Sequence, residues 1–283
     1  MLVSLEIQKI YCKTLQQKIK SFFRPYKIIK KITSDGDISV LNICYQQFHG
    51  NIKFKKIYDH TIGESKTILC SDYISLKGTP FTRFNRNEYN IKMMENFICN
   101  VLENCSEQCD NLKISFYDPN AEYPLFVEKL LKYTSQITIV SNMPKFYENE
   151  SERMMREIGA SYIVSNSVDK LSPCDILICP SKIKVHLPTV RDSLIFTAYK
   201  PLVSTSGVVV TKYYPSFPIK YMELKPECID ELYFLSALYT LCEKTHLEKL
   251  IPIRCGNENF DFLKEDVIHY IINNHHSLAV STK

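Results

Sequence analysis

The chain has 283 residues, long enough for one large or two modest domains, and its 45% hydrophobic and 23% charged content excludes a disordered or low-complexity protein. No apolar run could span a bilayer, and the opening Met1-Leu2-Val3-Ser4-Leu5 meets Glu6 and Lys9 too early for a signal-peptide core, so a cytoplasmic chain with no membrane span is expected. The 11 cysteines are scattered and odd in number, which fits reduced thiols better than a disulfide scaffold; Cys99, Cys105 and Cys109 lack the Cys-x-x-Cys spacing of zinc sites, and no metal is expected.

Residues 1–85 read as a basic α+β region. Leu15, Ile19, Phe22 and Phe23 share one face of a short helix that Pro25 ends. Tyr26–Ile32, Ile38–Tyr45 and Ile52–Tyr58 read as strands, the first two joined at Ser34-Asp35-Gly36-Asp37, and together they predict a small antiparallel sheet. Residues 1–60 carry eleven Lys and Arg against four Asp and Glu, a net +7 in a chain whose total is +4. Such an imbalance suits nucleic acid, an acidic partner or a membrane surface as well as a solvated face. The loop Leu76–Phe84 combines Gly78 and Pro80 with Lys77 and Arg83, which suits an interdomain connection or a clamp on an anion.

Residues 86–111 read as a bridging helix and loop, with Ile91, Met94, Ile98, Val101 and Cys105 at three- or four-residue spacing. Residues 112–215 then alternate. Leu112–Tyr117, Gln136–Val140, Ser161–Val164 and Asp175–Cys179 are predicted strands. Pro124 opens one intervening helix, and Asn149 with Glu152 opens another that stops at Gly159. This alternation predicts an α/β fold with a Rossmann-like, mostly parallel sheet flanked by helices. Beyond it, Leu194–Ala198 and Val208–Lys212 read as additional strands whose order the sequence leaves open. Residues 216–283 read as C-terminal helices, at Glu227–Lys244 and Asp261–Asn273, packing on the sheet or on the N-terminal region. His275 and His276 fall in an expected tail.

In an open parallel sheet, ligands bind beyond the carboxyl ends of the strands, where loops and helix N-termini converge. That rule selects Asp118 and Asn120 after the first strand, Ser141, Asn142 and Lys145 after the second, Ser165 and Asn166 after the third, and Cys179 and Ser181 after the fourth. Cys179 could be a nucleophile or a buried structural cysteine, and His186 a base or a solvated loop histidine, so no catalytic group is assigned.

The layout, above all Lys113–Val140 followed by Pro173–Cys179, resembles the NAD(P)-binding domains of dehydrogenases, over residues 112–181. The resemblance implies a dinucleotide cofactor and an oxidoreductase. The turn Asp118–Pro124 departs from it, because it has no glycine where the family carries Gly-x-Gly-x-x-Gly, and Asp118 and Glu122 add negative charge. Ser141, Asn142 and Lys145 replace the acidic residue that reads an unphosphorylated ribose, which favours NADP over NAD if either binds. The function expected first is therefore that of a diverged Rossmann-like protein working through interaction or ligand binding. An atypical NAD(P)-dependent oxidoreductase and a module holding nucleic acid or an acidic partner at the basic N-terminal region are the alternatives.

Overall fold

The computed structural model describes residues 1–61, 66–105, 112–188, 193–216, 219–242 and 246–281. The chain begins with β1 (Leu2–Lys9), α1 (Leu15–Phe23), β2 (Tyr26–Asp35), β3 (Ile38–Gln47), α2 (Phe54–Tyr58), β4 (Thr67–Cys70) and β5 (Thr82–Arg83). It continues through α3 (Asn87–Cys105), β6 (Ile114–Tyr117), α4 (Pro124–Leu130), β7 (Ile137–Val140), α5 (Pro144–Ile158), β8 (Ile163–Ser165) and β9 (Ile176–Cys179). After these come β10 (Leu194–Thr197), β11 (Val208–Val210), β12 (Lys212–Pro215), α6 (Glu231–Leu241), β13 (Pro252–Gly256), β14 (Asp261–Leu263) and α7 (Lys264–Ser281). None of the described helices is long and apolar enough to cross a membrane.

Two compact units result, residues 1–86 with 217–246 and residues 87–216 with 247–283. The segment 216–283 is thus shared between them, with α6 in the first unit and α7 in the second.

The first unit is built on a five-stranded sheet of order β2-β3-β1-β4-β5. Only the β2–β3 hairpin is antiparallel, so the expectation of a wholly antiparallel region is corrected. The cause is β1, a strand not foreseen, which lies parallel between β3 and β4 and buries Leu2, Val3 and Leu5. Its two faces are covered by different clusters. Leu2, Val40 and Leu69 pack with Phe234 and Leu238 of α6, while Val3, Leu41, Ile43 and Tyr45 pack with Ile57 and Phe81. The expected strand Ile52–Tyr58 is instead the short helix α2, in which Ile57 is the one buried residue. The expected helix Glu227–Lys244 is shorter, starting at the cap Asp230, whose side chain accepts from Tyr233 N; Lys244 lies outside the described residues.

The second unit carries a six-stranded, all-parallel sheet of order β11-β10-β9-β6-β7-β8. Taken from β8 inward, this is the 3-2-1-4-5-6 order of a doubly wound Rossmann-type sheet, with its reversal between β6 and β9. The four residues of β6 and the four of β9 are all buried, as a strand covered on both faces requires. Along β6, Phe116 meets Phe126 of α4 at 5.5 Å, while the alternate Tyr117 joins Leu177, Cys179 and Ile183 on the opposite side.

Helix α5 begins at Pro144, five residues before the expected start at Asn149, because proline's fixed φ suits the first helical position. It ends where expected, at Gly159 with φ 69° in the left-handed region. A small antiparallel sheet of order β12-β13-β14 completes the unit. It takes the first residues of the expected helix Asp261–Asn273, so that helix starts only at Lys264.

Candidate functional site

The carboxyl ends of β6, β7, β9 and β10 converge on a crevice of about 400 Å³ in the second unit, at the point where the strand order reverses. It is lined by Tyr117, Asn120, Glu122 and Tyr123 from the first loop, Asn142 from the second, Ser181, Lys182 and Lys184 after β9, and Tyr199 after β10.

The first loop is closed by its own aspartate. Asp118 is fully buried, and its Oδ2 accepts from the Tyr123 amide at 2.8 Å and from the Tyr147 hydroxyl of α5 at 2.7 Å. The Ala121 amide donates to the Asp118 carbonyl at 3.3 Å, and Ala121 sits at φ 54°, the left-handed conformation for which a phosphate-binding loop uses glycine. Pro119 and Pro124 have no amide hydrogen. Four of the six backbone nitrogens from 119 to 124 therefore offer nothing to a phosphate. Glu122, exposed beside them, accepts from the Asn120 side chain at 3.1 Å and puts a carboxylate on the crevice wall.

The neighbouring loops are tied together by backbone. Asn142 N donates to Pro119 O at 3.1 Å, and Ser141 Oγ accepts from Met143 N at 3.1 Å, which sets the turn into α5. After β10, Thr197 Oγ1 donates to Tyr199 O and accepts from Tyr199 N, holding the Tyr199 ring at the rim. Lys182 Nζ lies 5.3 Å from that ring centroid, within cation–π range.

The crevice is rich in donors. Burial pushes the Tyr117, Tyr123 and Tyr199 phenols above their ordinary range; proximity of Cys179 adds to this at Tyr117, of Tyr199 and Glu122 at Tyr123, and of Glu122 at Tyr199. All three hydroxyls keep their protons at neutral pH. Ser181 is 9% exposed, and its Oγ has no hydrogen-bond partner among the described residues. An unpaired buried hydroxyl is costly unless something arrives to pair with it.

Three of the residues selected from sequence, Asn120, Asn142 and Ser181, line the crevice together. Asp118 and Ser141 lie beneath it, buried and committed to the loops. Lys145 is exposed on the first turn of α5, and Ser165 and Asn166 lie at the edge strand β8; none of the three lines the crevice. Cys179 does not line the crevice. It is 0% exposed at the end of β9, packed with Tyr117 and Ile183, and burial with Cys174 nearby raises its thiol well above the usual range, as for a structural cysteine. His186 is exposed in the loop beyond. Sequence reasoning missed Lys182, Tyr199 and Tyr147.

Arg83 of the first unit is also spent. Its Nη2 donates to Ser71 O at 3.0 Å and Ile74 O at 2.6 Å, and Nη1 lies 3.4 Å from Asp72 Oδ1, so it fastens a loop and is no free anion clamp. Of the cysteine trio, Cys109 lies outside the described residues, as do the side chains of His275 and His276.

No protein-family model matches the chain, and no curated protein matches it in sequence. Among solved structures, L-tryptophan dehydrogenase from Nostoc punctiforme is similar at 11% identity, over 96% of this chain and 79% of that one. The TM-score is 0.32, a likeness too slight to bear on function. What is established is the fold class, a Rossmann-like parallel α/β sheet, from the order and direction of its strands.

Proposed function

We propose that this is a diverged Rossmann-like protein that binds a small ligand at the switch-point crevice and does not hold a dinucleotide through its first loop. The reading is carried by one observation, the occupation of the loop amides by Asp118. A pyrophosphate in such a fold depends on free amides at the first strand–helix turn, and here two of the six positions are proline and two amides are bonded to Asp118, with the Glu122 carboxylate on the same loop. Lys145, which would favour NADP, is outside the crevice.

The donors that remain suit an acceptor group. The protonated phenols of Tyr117 and Tyr199, the unpaired Ser181 hydroxyl and the Lys182 and Lys184 ammonium groups face a volume within the range of small-molecule sites, while the Tyr123 phenol is bonded to Glu122. A carboxylate or carbonyl would satisfy Ser181 and be held by Lys182, with its body among the tyrosine rings.

Two measurements test the reading. Thermal unfolding with NADH, NADPH or S-adenosylmethionine is expected to show no stabilisation, whereas a true ligand at one hundred times its dissociation constant adds about 2.7 kcal/mol. Stabilisation by NADH or NADPH restores the oxidoreductase. Amide chemical shifts during titration with benzoate, 4-hydroxyphenylacetate and citrate are expected to move at Ser181, Lys182 and Tyr199, and less so in Lys182→Ala. Shifts elsewhere, or none, reject the crevice as the site.

A further inference from the structure

Helix α1 has a complete amphipathic pattern, and among the described residues nothing buries its apolar side. Leu15, Ile19, Phe22 and Phe23 are 74%, 55%, 73% and 79% exposed, and no residue of the helix is buried. At about 100° per residue these four side chains occupy one arc, bordered by Lys18 on one edge and Lys20 on the other. The helix is nevertheless well started. Thr14 accepts from Gln17 N, and the Gln17 side chain accepts from Thr14 N, a full capping box.

The surroundings are of one chemical kind. Tyr11, 83% exposed, precedes the helix, and a groove of about 850 Å³ between them is lined by Ile10, Tyr11, Ile19 and Phe23, with Lys20 and Arg24 beside them. Between Glu6 and Asp35 the chain carries eight Lys and Arg and no acid. Three of them, Lys27, Lys30 and Lys31, stand exposed along β2, the edge strand of its sheet. Among the described residues none of the eight has an ion-pair partner.

We propose that α1 docks this protein flat on an anionic phospholipid surface, with Leu15, Ile19, Phe22 and Phe23 entering the acyl boundary and Lys18, Lys20, Arg24 and Lys27 at the headgroups. Basic side chains at the borders of an exposed apolar stripe can lay their stems along it and reach the phosphates. The unbalanced charge running on along β2 matches a continuous negative surface better than a few carboxylates on one partner. A nucleic acid would account for the charges and leave two exposed phenylalanines and two aliphatic side chains unexplained. The proposal does not depend on the crevice.

The test is sedimentation of the full chain with vesicles of phosphatidylcholine, with and without phosphatidylserine. Binding is expected only with phosphatidylserine and to weaken as salt is added. The double variant Phe22→Ser, Phe23→Ser and the double variant Lys18→Glu, Lys20→Glu are each expected to bind at least about tenfold less, while Lys170→Glu in the other unit binds as before. Because α1 buries nothing, both double variants should keep the parent melting temperature, which separates lost docking from lost folding. Equal binding to both vesicles, or binding indifferent to the serine variant, overturns the proposal. So does binding to duplex DNA or single-stranded RNA that fails only in the charge reversal, which would assign a nucleic acid. Concentration-dependent self-association abolished by the serine variant, without vesicle binding, would assign the face to a second copy and overturn it equally.

Discussion

The Tyr147 hydroxyl donates to Asp118 Oδ2 at 2.7 Å, and both residues are 0% exposed. The bond links α5 to the loop that follows β6, and it is the second bond on an oxygen that already accepts the Tyr123 amide. Burial first, and then the hydrogen bond to Asp118, push the Tyr147 phenol far above its ordinary range, so it remains a donor. The other carboxylate oxygen, Oδ1, has no partner among the described residues. Tyr147→Phe therefore strips a buried carboxyl group of one of its two partners, and the expected loss is about 1–3 kcal/mol in urea unfolding. Asp118→Ala should in addition speed hydrogen exchange at the Tyr123 amide. A Tyr147→Phe protein as stable as the parent would mean that the loop is not held from α5.

Cys174, Cys179 and Cys255 are 5%, 0% and 0% exposed, and burial raises each thiol. They are expected to resist Ellman's reagent in the native protein and to react on unfolding; rapid native labelling of Cys179 would return it to candidacy as a nucleophile. The same shifts set a pH dependence. Burial, with Glu95 second, pushes Cys99 up to about 11; burial, with Glu6 second, pushes Cys228 up to about 11; burial, with Asp261 second, pushes Cys255 up to about 12. The folded thiols hold their protons where unfolded ones, at about 9, release them. The stability they contribute is complete below about pH 9 and is lost as pH rises through 11 to 12. The melting temperature should fall over that window. A melting temperature unchanged from pH 8 to 11 would contradict the burial of these thiols.

The parts of the fold legible in sequence were those whose physics is local. The apolar run Ile176–Cys179 announced a strand covered on both faces, and Gly159 announced a helix end by the one backbone conformation it alone adopts cheaply. β1 was not legible, because it is defined by parallel pairing to residues 40–47 on one side and 69–70 on the other. Ile52–Tyr58 has alternation that a short helix satisfies equally well. In the crevice, Asn120, Asn142 and Ser181 could be selected because strand tips turn polar there. Tyr199 could not, since only the strand order puts the β10 loop beside that of β9, and Lys182 lies one residue past the strand tip that the rule selects. Cys179 could be read either way from sequence, because a strand-end residue faces the crevice or the core according to the pleat, and here it faces Tyr117 and Ile183.

Arg83 tests whether the loop Leu76–Phe84 is structural. Its guanidinium reaches the carbonyls of Ser71 and Ile74 and, at 3.5 Å, the Cys70 sulfur, in directions that a single ammonium cannot reproduce. Arg83→Lys should lower stability by about 1.5–3 kcal/mol, the range for hydrogen bonds to a charged group. Lys77, exposed on the same loop, should tolerate alanine within about 0.5 kcal/mol. If the two cations instead clamped an anion, Arg83→Lys would leave urea unfolding unchanged and both substitutions would weaken binding of inorganic phosphate.

Two glycines are required for different reasons, and substitution can tell them apart. Gly256 ends β13 opposite Asp261 of β14, and the turn between them is fixed by Asn257 N donating to Phe260 O at 2.9 Å. A β-carbon on Gly256 would overlap the Phe260 carbonyl oxygen and lie 2.8 Å from Asp261 Cα, and backbone on both sides cannot yield cheaply. Gly159 has φ 69° and open space around the position of a β-carbon. Its need is conformational, and asparagine, which tolerates the left-handed region, meets it better than alanine. Gly159→Ala should therefore cost about 1 kcal/mol and Gly159→Asn less. At Gly256, alanine should cost about 1–3 kcal/mol or more through overpacking, and asparagine at least as much, because both carry the offending atom. A Gly256→Asn protein more stable than Gly256→Ala would show that backbone conformation, and not the approach of β14, sets the requirement there.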